Sequence, residues 1–137
     1  MRVIHVAPTA FGAAGLYGGG ERYPMELARA LAKHVRCELV TFGPQRGEQR
    51  DDGFRTRVVR PLGYIGGHPA RPIAPSLPAA LRGADVVHAH QARSPASIVA
   101  ALAARMRGVP TAVTDHGLQG SEWGGLVRRV FDRYLLV

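Results

Sequence analysis

The apolar residues come in short runs set apart by glycine, proline and charge. "VIHVAP" (3–8), "CELVTFG" (37–43), "DVVHAH" (85–90) and "PTAVTDHG" (110–117, with its following loop) each read as a buried strand, and "FRTRVVRPL" (54–62) adds another, with alternation in its first half. Between them the period changes. Over Glu21–Lys33, the residues Leu27, Ala28, Leu31 and Ala32 fall on one helical stripe. Pro24 is placed in the first turn of that helix, where a missing N–H goes unnoticed. Ser94 to Arg107 is an alanine-rich helix, with Ser94 as N-cap, Pro95 at the first position and Gly108 just past its end. Short helices are expected near Pro78–Arg82 and Leu126–Arg133, and "YLLV" begins a last strand. Thr9–Gly20 is a long glycine-rich loop, "QRGEQRDDG" (45–53) a polar loop, and 63–78 an irregular stretch rich in glycine and proline.

Strands alternating with helices predict an α/β fold: a Rossmann-like, doubly wound parallel sheet. Ligands of such sheets bind beyond the carboxyl ends of the strands, where strand order reverses. In the order 3-2-1-4-5, strands one, four and five lie side by side. Strand one leads into Gly18, Gly19 and Gly20, directly before Glu21 and its helix. Strand four ends in His88 and His90, which share a face because they are two apart. Strand five ends in Asp115 and His116. Three histidines and a carboxylate therefore converge on a glycine-rich helix start. Unsatisfied N–H groups and the helix dipole make that start an anion site, and the glycines remove every Cβ that would hold a phosphate off. His5, inside strand one, reads as a hydrogen-bonded core residue.

The 137 residues suggest one domain, large enough to fold without cross-links. Cys37 is the single cysteine, so no disulfide framework exists and a reducing, cytoplasmic setting is expected. "MRVIHVAP" lacks the apolar core of a signal peptide, and no run approaches the roughly 20 residues of a membrane span. The formal charge of +8 rests on 18 basic residues, all arginine but Lys33. They are scattered, without the clusters and interleaved aromatics that nucleic-acid binding demands. Two sources of the charge stay open: arginine-biased codon usage, or a surface that attracts an anionic substrate or the anionic face of a membrane.

Two cofactor motifs are excluded. G-x-G-x-x-G fails because the loop is long and Tyr23 stands where the third glycine belongs; a lysine-bearing phosphate loop fails because Lys33 is misplaced. Two readings of these residues stay open. One is a metal-dependent hydrolase using His88, His90 and His116, since imidazoles suit zinc or similar ions. The other is a non-catalytic Rossmann-like binding module.

Taken in order, "GGGERYPMELARALAK" and "ADVVHAHQARSPASIVAALAARMRGVPTAVTDHG" are similar to the G-G-x-E helix, the D-h-h-H-x-H strand and the G-h-P-x-h-x-T-x-H-G segment of retaining family 4 glycosyltransferases. The chain thus resembles the N-terminal half of a GT-B fold along nearly its whole length. The resemblance implies sugar transfer, with retention, from a nucleotide sugar to a sugar, lipid or small-molecule acceptor, with no cofactor or metal and with peripheral contact at the inner membrane face. Gly18, Gly19 and Gly20 would approach the donor phosphates, and His116 would stand against the transferred sugar as the catalytic group. Glu21, His88, His90 and Asp115 would line the acceptor side. Family members carry a second Rossmann-like domain with an E-x7-E motif, which this sequence lacks. The expectation is a truncated, partial domain over residues 1–137 with negligible transferase activity of its own.

Overall fold

The computed structural model describes residues 1–9, 18–51 and 53–116. The loop 10–17, the expected helix Leu126–Arg133 and the expected strand "YLLV" lie outside the described residues. The elements run β1 (Arg2–Val6), α1 (Gly19–Leu31), β2 (Arg36–Phe42), β3 (Gly47–Asp51), β4 (Phe54–Val59), β5 (Gly63–Tyr64), β6 (Pro72–Ile73), α2 (Leu77–Ala80), β7 (Val86–His90), α3 (Pro95–Arg105) and β8 (Thr111–Thr114). Among the described residues the main sheet has the order β3-β4-β2-β1-β7-β8. Every pairing is parallel except β3 with β4. The predicted 3-2-1-4-5 order is therefore present, with one strand added outside it.

That added strand corrects the reading of 45–53 as a loop. β3 pairs antiparallel with β4, Gly47 opposite Val58 and Asp51 opposite Phe54. Its residues 47–50 are exposed, so no apolar pattern betrays it. Backbone pairing and charge hold it instead: Arg55 Nη2 meets Glu48 Oε2 at 2.6 Å. Gly53, with φ of +84°, supplies the left-handed conformation at the connection. A charged edge strand of this kind also discourages pairing with other sheets. The stretch 63–78 is likewise less irregular than expected, since β5 and β6 pair antiparallel around a 3-10 turn at Ile65–Gly67.

The sheet is covered on both faces. On one, Ile4, Val6, Val40, Phe42, Val59 and Val87 pack under α2 and α3. The alanines 96, 100, 103 and 104 of α3 belong to this layer, and their small size lets the helix approach the sheet closely. On the other face Val3, Ala7, Leu39, Phe54 and Cys37 pack against Ala28 of α1, with Met25, Leu31 and Ala32 alongside. Burial among these raises the Cys37 thiol above its ordinary range. Glu38 is almost fully buried between Arg2 Nη2 at 2.7 Å and Arg57 Nη2 at 2.8 Å. The Arg2 contact is a hydrogen bond, whereas Arg57 meets Oε1 as an ion pair without hydrogen-bond geometry.

α1 begins at Gly19, two residues before the position expected from periodicity. The N-cap is Gly18 in extended conformation, and Arg22 N–H donates to its carbonyl at 3.1 Å. Pro24 consequently sits in the second turn, inside the helix and buried, rather than in the first. α3 begins as predicted: Ser94 Oγ accepts from the Ser97 N–H at 3.1 Å, and Pro95 opens the helix.

Candidate functional site

The register of the sheet assembles the site. His5 on β1 lies opposite His88 on β7, and His90 lies opposite Thr114 on β8. Alternation sends Val87 to the α3 side and Val3, Ala7 and Val86 to the α1 side. His5, His88 and His90 share the second parity, so all three rings lie beneath α1. His116 follows two residues beyond β8 and extends the row.

The rings are linked as well as adjacent. His5 Nδ1 is 3.2 Å from His90 Nε2, and His90 Nδ1 is 3.4 Å from His116 Nε2. His88 Nε2 is 2.7 Å from the Thr114 hydroxyl. His90 stacks on His88 with centroids 4.2 Å apart, and on His116 at 5.6 Å and 14°. Tyr23 of α1 closes the row edge-on, its ring 5.0 Å from His116 and 6.0 Å from His90. His5 is thus the hydrogen-bonded core residue expected, and also one end of a chain that reaches His116.

Burial sets the protonation of the row. Desolvation, then the charge of His88, pushes His5 down to about 4. His90 is pushed down to about 2, first by desolvation and then by His88, His5 and His116. His88 is lowered by burial and next by His116. A cluster of imidazoles cannot charge together in so little water, so at neutral pH these three are neutral.

The glycines meet this row at one point. A Cβ on Gly20 would lie 3.6 Å from His116 Cβ and 3.7 Å from Gln91 Nε2. A Cβ on Gly19 would meet nothing within 4 Å. At Gly18 it would collide with the Glu21 carboxylate, which folds back over the N-cap. Glu21 therefore stands at the positive end of the helix. His90 has no exposed surface and lies behind His116, while His88 is half-buried. Asp115 is exposed, whereas His116 beside it is half-buried.

Two residues of the site carried no sequence signal. Tyr23 had counted only as a misplaced third glycine. Gln91, directly after β7, holds a left-handed φ of +62° while the residue is 4 % exposed and its Oε1 has no partner among the described residues. A non-glycine residue in that conformation stores strain, and buried polar atoms rarely go unpaired. Its backbone is pinned on both sides, with Gln91 N–H donating to Thr114 O and Ser94 N–H donating to Gln91 O, both at 2.9 Å. The Ser97 hydroxyl donates to the His90 carbonyl, so the start of α3 holds the end of β7 in place.

The metal reading changes its members. Among the described residues the histidines with metal-ligand spacing are His5, His88 and His90, whose ring nitrogens lie within 4.8 Å of one another; His116 is not one of them. Two of these three rings are already joined by a hydrogen bond, and His88 and His90 stack face to face. A separate cavity of about 570 Å³, lined by Arg2, Arg36, Arg50, Phe54 and Arg55, lies at the opposite edge of the sheet, among the amino ends of β1, β2 and β4. Among the described residues no helix is long and apolar enough to cross a membrane.

The model of a family described as Glycosyltransferase Family 4 matches residues 17–136. No curated protein matches the chain.

Proposed function

The chain belongs to Glycosyltransferase Family 4, and on that premise we propose that it is the acceptor-side half of a GT-B enzyme that moves a sugar, with retention, from a nucleotide-sugar donor to an acceptor. In this reading a second domain supplies the nucleotide pocket and the E-x7-E motif. The observation that carries the proposal is the meeting of the α1 N-terminus, Gln91 and His116 around Gly20. Bare backbone, a buried amide and an imidazole there surround a single reacting centre.

The chemistry follows from where charge develops. As the glycosidic bond to the donor breaks, negative charge accumulates on the departing diphosphate. The N–H groups of the first turn of α1, with the helix dipole behind them, stabilise that charge once the Glu21 carboxylate over the N-cap gives way to the phosphates. Gly18 and Gly19, both exposed, let the phosphates approach this turn. His116 stands against the transferred sugar. Tyr23 and His90 hold its ring from two sides, which fixes its orientation before substrate arrives. His88 and His90 support that wall from behind.

Gly19→Val and His116→Ala in the full-length enzyme test the proposal. Each is expected to lower transfer from a radiolabelled nucleotide sugar by on the order of 100-fold or more, a loss typical of removed transition-state contacts. Melting temperature should hold for Gly19→Val, because a Cβ there meets no atom of the described residues within 4 Å. Full activity in both variants overturns the reading.

A further inference from the structure

We infer that His5, His90 and His116 form a single tautomeric unit, in which the buried ring of His5 dictates which nitrogen of His116 carries its proton. This deepens the glycosyltransferase reading of His116 as far as catalysis is concerned; the tautomer itself does not depend on that reading.

The logic is proton counting. A neutral imidazole has one N–H and one lone pair. Burial keeps His5 and His90 neutral. His90 bonds to a ring on each side: its Nε2 faces His5 Nδ1, and its Nδ1 faces His116 Nε2. With one proton it can donate in only one of these directions and must accept in the other. If it donates from Nδ1, His5 donates from Nδ1 to it, and His116 accepts at Nε2. If it donates from Nε2, all the bonds reverse. No mixed arrangement satisfies both contacts, so the three rings share one tautomer.

The closed end selects the direction. His5 Nε2 is buried and has no hydrogen-bond partner among the described residues. In one arrangement that atom is an orphaned N–H, in the other an unused lone pair. Orphaned buried N–H groups are the rarer state in folded proteins. The lone pair therefore sits on His5 Nε2, and the proton on each ring sits at Nδ1. His116 then carries its N–H on Nδ1, the nitrogen that His90 does not use, and acts as a hydrogen-bond donor there. A donor suits a departing phosphate oxygen, where the opposite tautomer would present a lone pair to a lone pair; a sugar hydroxyl pairs with either tautomer. His5 and His90 are thus positioning residues, acting through His116 without touching substrate.

Long-range proton–nitrogen correlation spectra of the full chain, labelled with ¹⁵N in its histidines, read the protonated nitrogen of each ring directly. At neutral pH the wild type should show Nδ1–H for His5, His90 and His116. His5→Phe removes the donor to His90 and should release His116 to a mixture of tautomers. His5→Asn places an amide N–H near the position of the lost Nδ1–H, and should return His116 to the Nδ1–H form. Nε2–H at His116 in the wild type overturns the inference, as does a His116 pattern identical in His5→Phe and wild type. Should His5→Phe fail to fold, the wild-type spectrum and His5→Asn still decide. Loss of glycosyl transfer as a function would leave these spectra unchanged, so the two readings fail separately.

Discussion

Gly20 near the start of α1 and His116 beyond β8 stand so close that a Cβ on the glycine would lie 3.6 Å from the histidine Cβ. That is ordinary van der Waals contact, so one methyl group fits, while the further carbons of a branched side chain are expected to press on His116 and Gln91. Gly20→Ala should fold and melt within about 1 kcal/mol of wild type, since glycine-to-alanine changes in helices fall in that range. Gly20→Val should shift His116 and Gln91 and cost the full-length enzyme at least about 100-fold in transfer, the penalty of a small misplacement at a reacting centre. Turnover and thermal melts of both variants separate the two effects. Equal activity in Gly20→Val and wild type would show that this contact does not position His116.

The histidine row makes stability pH-dependent in one direction. The folded protein holds His5 at about 4 and His90 at about 2, with His88 also lowered, against an ordinary value of 6.5. Between those values and 6.5 the unfolded chain binds more protons than the folded one, so stability rises with pH there. The contribution is complete above about pH 6.5 and is lost as pH falls below it. Denaturant melts between about pH 7.5 and 5 should show falling stability before ordinary carboxylates begin to titrate near pH 4. Replacing His5 by phenylalanine should flatten that slope. A flat wild-type profile across the window would contradict burial of neutral rings.

Gln91 is where stability is expected to trade against transfer. Its left-handed backbone and unpaired buried oxygen cost free energy that glycine would not. Gln91→Gly is expected to raise the melting temperature by a few degrees, equivalent to roughly 1 kcal/mol, while lowering transfer by the full-length enzyme. Strain kept at a reacting centre commonly shows this trade. A variant both less stable and fully active would mean that Gln91 is a packing residue.

The contrast between what the sequence disclosed and what it hid follows the range of the forces involved. β1, β7 and α3 were legible because their signals are local: apolar runs for the strands, and Ser94, Pro95 and Gly108 bracketing the helix. The strand order came from the alternation of these elements. β3 was hidden because exposed Glu48, Gln49 and Arg50 carry no burial pattern, although Asp52–Gly53 is a hairpin signal. The first turn of α1 was hidden because glycines have no periodicity to read. The meeting of His88, His90 and His116 could be anticipated from strand ends, but the bond from His5 to His90 could not. It joins residues 85 positions apart, one strand over and two residues along. Tyr23 and Gln91 were missed for the same reason, since their importance lies in neighbours brought from other strands.

Pro24 leaves the first turn of α1 more loosely tied than an ordinary helix start. It has no N–H to return to the carbonyl of Gly20, four residues earlier. One rung of the backbone ladder between the first and second turns is therefore missing. Packing holds that turn instead: Pro24 itself is buried, Gly20 lies against His116 and Gln91, and Tyr23 meets the rings of His116 and His90. The histidine row thus anchors the start of the helix as much as the helix covers the row.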